Sequence, residues 1–254
     1  MLKEEIMRSI LKDPAKADLH NHTVYSDGKN TAEEMILSAI AKKLKIFGIS
    51  DHSYTSIDPS YCMKASQYGR YTAELETLKE KYAGQILFLK GMEYDYCSDL
   101  MPEGLDYIIG SVHYLKIGDE HPTLDYSPEV FEMILHRYFD DDPYRLCEAY
   151  YATFSDLYRK TRCDIVGHFD LVTKFNEGNR FFDEQHPRYI GAWKKAMSDL
   201  LKDVKCFEIN FGARNKGLRS DPYLNREMRD YLREHGGFMI DSSDSHTTET
   251  VGKF

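Results

Sequence analysis

Two histidines one residue apart, His20 and His22, open a series of metal-ligating side chains that runs through the whole chain. His52, Glu93, His113 and His168 follow, then Asp244 and His246, while Asp27 stands in a Ser-Asp-Gly sequence soon after His22. Imidazole nitrogens and carboxylate oxygens without a thiolate suit Zn²⁺, Mn²⁺ or Fe²⁺ in a catalytic rather than a structural site. A single zinc is usually four-coordinate, so this many candidate ligands imply two or three ions, with Glu93 as the expected bridging carboxylate. Bound metals acidify water and polarise oxygens, which is what metal-assisted hydrolysis needs at neutral pH. The expected nucleophile is a hydroxide held between two metals.

The elements that would position these groups are short apolar runs, each ending in a ligand. Candidate strands are 17–19, 46–50, 86–90, 107–112, 164–166, 206–210 and 238–240. Six of these seven runs lead into a His, Asp or Glu of the series, and the run 206–210 ends in Glu208 and Asn210. A lone buried histidine is more often a hydrogen-bonded core residue than a ligand. Six of the ten histidines at strand ends are a different matter. The other four, His121, His136, His186 and His235, fall in loops or helices and carry no functional expectation.

Helical periodicity covers 31–44, 66–82, 128–139, 143–160, 187–202 and 222–235. Thr31 and Glu34 have the spacing of a capping box, and Pro128, Pro143, Pro187 and Pro222 stand near helix starts, where a missing N–H costs nothing. Gly236-Gly237 reads as a helix stop. Alternation of strand and helix predicts an α/β fold around a parallel sheet, and in such barrels the carboxyl ends of the strands build the site. With no repeat or linker tract, one domain over 1–254 is expected, with long loops at 116–127 and 175–186.

The chain has 254 residues, 42% hydrophobic and 30% charged, with formal net charge −9. That excludes disorder, a collagen or a disulfide scaffold. It also weighs against nucleic acid, whose phosphates call for a basic footprint. No stretch has the roughly 18 unbroken apolar residues of a membrane span, and residues 1–19 are too charged for a signal peptide. Five scattered cysteines without a C-x-x-C pair read as reduced thiols, hence a cytoplasmic protein. Acidity does not exclude a small phosphorylated substrate as partner, and the oligomeric state is left open. Three divalent ions on neutral histidines and ionised carboxylates would leave a net charge of about −3.

Asp18-Leu19-His20-Asn21-His22-Thr23, Ser26-Asp27-Gly28, Ser50-Asp51-His52, Gly91-Met92-Glu93, Ser111-Val112-His113, Gly167-His168 and Ser243-Asp244-Ser245-His246 occur in this order. They resemble the successive motifs of the polymerase and histidinol phosphatase (PHP) superfamily. Gly110 to Tyr114, His168 to Phe175, and Glu208-Ile209-Asn210 followed by Gly217-Leu218-Arg219 make the sequence most similar to its monofunctional histidinol-phosphate phosphatases. The resemblance implies a distorted seven-stranded (β/α)7 TIM-like barrel holding three divalent metals. His20, His22, Glu93 and Asp244 would hold one; Glu93, His113 and His168 a second; Asp27, His52 and His246 the third. Asp27 is equally an ordinary turn residue, and some members place a histidine where this chain has Gly28.

The implied activity is hydrolysis of L-histidinol phosphate to L-histidinol and phosphate, a step of histidine biosynthesis. Arg219, then Lys174 and Arg214, are the cations expected at the phosphate, each weighed against a role as a solvated surface charge. The proton for the leaving alkoxide could come from metal-bound water, Asp51 or another carboxylate, and Tyr94, Asp95 or Tyr96 could meet the rest of the substrate. The alternatives are a PHP phosphoesterase acting on phosphotyrosine, a nucleotide or an oligonucleotide end, and a non-catalytic metal-binding PHP domain. Relatives continue into a final helix, whereas this sequence stops at Phe254, which puts closure of the barrel after its last strand in question.

Overall fold

The computed structural model describes residues 4–99 and 103–254. Its strands are β1 (Ala17–Asp18), β2 (Ile46–Ile49), β3 (Leu87–Lys90), β4 (Glu93–Asp95), β5 (Ile109–Ser111), β6 (Ile165–Val166), β7 (Cys206–Asn210) and β8 (Phe238–Ser242). Every pairing between them is parallel, β1-β2-β3 in one sheet and β4-β5-β6-β7-β8 in another. This confirms the α/β class and corrects the strand count. The run 86–90 does not continue as one strand into Glu93, because the chain changes partners between them. Gly91 N–H still donates to Ile49 O, whereas Met92 O accepts from Ile109 N. Single parallel bridges, Asn21 to Ser245 and His52 to Glu93, tie the two sheets together just past the strand ends.

The strands enclose an inner core of Ala17, Leu19, Ile46, Leu89, Tyr107, Ile109, Ile165, Cys206 and Ile240. Tyr107 fills its centre, and glycine is needed on either side of it. A Cβ would stand 2.2 Å from its hydroxyl at Gly48 and 2.1 Å from its ring at Gly91. The Tyr107 hydroxyl donates to Leu19 O, directly beneath the His-x-His segment.

The helices are α1 (Glu4–Lys12), α2 (Ala32–Ala41), α3 (Tyr68–Lys81), α4 (Pro128–Phe139), α5 (Pro143–Thr161), α6 (Pro187–Leu200), α7 (Gly212–Asn215) and α8 (Arg226–Glu234). Thr31 and Glu34 form the expected capping box, worth about 1 kcal/mol. Pro222 is not a helix start: Asn225 caps α8 through Met228 N. Gly236, at φ 76, ends α8 as expected. Helices α2 and α3 cover β2 to β4, and α4, α5, α6 and α8 build a larger apolar layer outside β5 to β8. Helix α1 was not anticipated; its Ile10 joins the inner core, with Ile6 and Met7 packed against it.

The segment after β8 is held without a further helix. Lys42 Nζ donates to the carbonyls of Thr248, Glu249 and Val251, and Asp18 accepts from Ser243 N and Gly252 N.

Candidate metal centre

All nine ligand candidates come together past the carboxyl ends of the strands, around Glu93. Its Oε2 lies 3.1 Å from His20 Nε2, 3.6 Å from His22 Nε2 and 2.9 Å from His52 Nδ1. Its Oε1 lies 2.8 Å from His168 Nε2 and 3.5 Å from His113 Nε2. One carboxylate therefore faces two sets of imidazoles, one per oxygen. Among the described residues, three groups have ligand atoms mutually within 4.8 Å: His20, His22 and Asp244; His52, Glu93 and His113; and His22, Asp27, His52 and His246. Asp27 is drawn in by His246 Nε2, 3.1 Å away. Gly28 has no room for a histidine, since a Cβ there would stand 2.5 Å from the His22 backbone.

The rings are held from behind. His20 Nδ1 bonds Glu208 Oε2 at 2.9 Å, and His113 Nδ1 bonds Asp95 Oδ2 at 2.9 Å. Such outer carboxylates fix ring orientation and raise ligand basicity. Asp244 is itself in the left-handed region, φ 51, a conformation Asp tolerates at modest cost. Gly212 makes room for it, since a Cβ there would lie 2.5 Å from Asp244 Oδ2, and Asn210 Nδ2 donates to the same oxygen.

His20 Nε2, both nitrogens of His22, Glu93 Oε2 and His168 Nδ1 are buried without a hydrogen-bond partner. Buried polar groups are almost always paired, so orphaned ligand atoms gathered around Glu93, Asp27 and Asp244 mark places for cations. The titration directions agree. Burial works to raise the Glu93 carboxyl, but His52, His20 and His113 hold it well below its usual range. Burial, with His246 and His52 beside it, drives His22 down to about 3. Burial would lower His20 too, yet Glu208, Glu93 and Asp244 push it well above its usual value. Ionised Glu93 and neutral His22 are the states in which such groups bind a divalent ion, and the carboxylates that favour positive charge at His20 favour a cation beside it equally.

Above the ligands opens a cleft of about 280 Å³. His52, Glu93, His113, His168, Asp244 and His246 lie in its lining. One side carries Asp58, Tyr61, Tyr114, Asp125 and Tyr126, and Lys174, Lys216 and Tyr223 also line it.

A family model described as the PHP domain matches residues 18–210. The chain belongs to the PHP family. The histidinol-phosphatase of Bacillus subtilis (strain 168) is 24% identical to it, over 93% of this chain and 96% of that one. The crystal structure of the Listeria monocytogenes protein hisK superposes with a TM-score of 0.82 at 20% identity, covering 94% of this chain and 98% of its own. That of a histidinol phosphate phosphatase from Lactococcus lactis subsp. lactis Il1403, complexed with zinc, L-histidinol and phosphate, gives 0.67 at 18%, covering 92% and 87%. These likenesses establish the PHP fold.

Several side chains expected in this PHP site are elsewhere. Arg219 is not a cleft residue: its guanidinium donates to Thr173 O and Glu184 Oε1. Arg214 lies over the Phe211 ring and is likewise outside the lining. Asp51 has both oxygens engaged by Thr23 and Ser26 and is outside the cleft lining, so it braces the loop after His22. Tyr94 is packed in the outer core, Asp95 orients His113, and Tyr96 bonds Asp156. Of the three cations only Lys174 lines the cleft, bonded to Asp125. Lys216 was missed, as were the outer-shell roles of Glu208 and Asp95. Glu208 offered a usable signal, an acidic residue pointing inward from a strand beside histidine-bearing neighbours. Of the four histidines set aside, His186 caps α6, His136 pairs with Asp141 and His235 bonds Tyr231 O.

Proposed function

We propose that this chain is a metal-dependent phosphomonoesterase that hydrolyses L-histidinol phosphate to L-histidinol and phosphate. What carries the reading is Glu93, one carboxylate shared by five imidazoles beneath an open cleft. The donor set, nitrogen and carboxylate oxygen with no sulfur, fits zinc, manganese or iron, and three ions are the number that nine ligands suit. When bound, such ions supply an acidified water and neutralise phosphoryl oxygens.

The chain's own residues do the rest. His20, His22, Glu93 and Asp244 would hold one ion, Glu93, His113 and His168 a second, and Asp27, His52 and His246 a third. Lys216 and Lys174 add positive charge for the phosphate, and Arg219 acts at one remove by pinning the Thr173 carbonyl beside Lys174. Asp58 and Asp125, between Tyr61, Tyr114 and Tyr126, suit an ammonium and a flat ring. That is the chemistry of histidinol, and both the relative's name and the bound ligands of the Lactococcus protein agree with it.

The chain works as a single domain over 1–254, and β3 and β4 act as one interrupted stave of a distorted seven-stranded barrel. Free cysteines, four of the five buried, fit a reducing cytoplasm. The test is a panel of phosphate monoesters offered to metal-loaded protein whose metal content is measured. Histidinol phosphate is expected to be turned over far faster than phosphotyrosine, nucleotides or oligonucleotide ends. Equal rates across the panel would end the substrate assignment, and fewer than two bound ions would end the metal assignment.

A further inference from the structure

Among the described residues, three hydroxyls are buried without a hydrogen-bond partner: those of Tyr150, Tyr223 and Ser242. Leaving a buried hydroxyl unpaired is costly, so each asks for a reason. Tyr223 is set apart from the other two because it lines the cleft.

Its position is tightly fixed. Tyr223 N–H donates to Asn210 O at the end of β7, and the next residue, Leu224, donates its N–H to Asp170 Oδ1 two residues past His168. The Tyr223 ring meets the His168 ring at a steep angle, 6.1 Å between centroids. His168 in turn touches Glu93. The phenol is therefore carried beside the metal-ligand floor, in the cleft that Asp244 and Lys216 also line. A phenol, with an ordinary pKa of about 10, keeps its proton at neutral pH. Phosphoryl oxygens brought to that floor are acceptors that need donors.

We propose that the Tyr223 hydroxyl donates a hydrogen bond to a non-bridging phosphoryl oxygen of the substrate, which makes Tyr223 a catalytic residue. The proton stays on the phenol throughout, and the bond strengthens as charge develops on the phosphoryl group. This inference rests on the phosphomonoesterase reading but not on which alcohol is esterified.

The experiment measures orthophosphate binding by calorimetry, and turnover of histidinol phosphate, on metal-loaded wild type, Y223F and Y150F. Y223F is expected to bind orthophosphate roughly tenfold or more weakly and to lose about tenfold to a hundredfold in kcat/KM, with metal content unchanged. Y150F, lacking an unpaired hydroxyl away from the cleft, should match wild type in both. Wild-type phosphate affinity in Y223F, or an equal loss in Y150F, overturns the proposal. Should Y223F fail to load metal, 3-fluorotyrosine placed at 223 alone keeps the hydroxyl. Its ¹⁹F resonance should shift on adding orthophosphate, and an unmoved resonance overturns the proposal. Wild type that binds orthophosphate yet leaves histidinol phosphate intact sinks the substrate assignment alone, with Tyr223 still decided by the phosphate measurements.

Discussion

The floor of the cleft and its acidic, aromatic wall are built on different terms. On the floor His20, His22, Glu93, His113 and His168 are almost wholly buried, and carboxylates behind His20 and His113 fix their rings. On the wall, Asp58, Tyr61, Asp125 and Tyr126 come from connecting segments between strands and helices, and Tyr126 is 78% exposed. The floor leaves polar atoms unpaired that only a cation can satisfy, while the wall is satisfied as it stands, with Asp125 bonded to Thr123 and Lys174. If the proposed function holds, the reaction is written into buried strand ends, and the choice of substrate into connecting segments, which tolerate change more readily.

The contrast can be broken most severely at Glu93. In Glu93→Ala, bound metal and turnover should vanish together, read by metal analysis and phosphate release on one sample. Metal retained in that variant would refute the shared-ligand arrangement. One layer out, Glu208→Gln or Asp95→Asn should weaken metal affinity by about 10–100-fold, seen in chelator competition.

Moving to the wall, Asp125→Asn should raise KM for histidinol phosphate roughly tenfold, the value of one charge-assisted bond. Metal content, and turnover of monoesters lacking an ammonium, should be unchanged. The pH dependence sharpens this. Burial would raise the Asp125 carboxyl, but Lys174 and His113 hold it down at about 2. A depressed carboxyl makes its contribution above the ordinary range near 3.9 and loses it only as pH falls through about 2. The ratio of the two KM values should therefore stay flat from roughly pH 5 to 9; a ratio collapsing near pH 5 would show an unpaired carboxyl. Smallest of all, Tyr126→Ala at the exposed rim should change stability by under about 0.5 kcal/mol and KM only modestly, by thermal melting and steady-state kinetics.

The same division governs what the sequence made legible. The floor could be read because most of its histidines closely follow an apolar run, so identity and position coincide, as at His168 after Ile165–Val166. Helices with chemical caps, such as that begun by Thr31 and Glu34, were equally plain. The wall could not be read, because it depends on where loops fold back. Arg219 carries the right charge but is drawn to Glu184, while Lys216, only three residues earlier, reaches the cleft. The break between β3 and β4 is a change of hydrogen-bond partner around the Tyr107 ring, which no run of residue types announces. Helix α1 hides for a related reason: its charged surface disguises the few apolar residues that seal the inner core.

Asp18 joins the segment of the first two ligands to that of the last two, bonding Ser243 across 225 residues of sequence. His20 and His22 stand beside it on one side, Asp244 and His246 on the other. Contacts this distant are slow to form during folding, since a long loop must close before they contribute. A growing chain on the ribosome therefore carries its first ligands long before it can use them. Metal capture becomes a report that synthesis has passed His246 and that the segments around Asp18 and Ser243 have met.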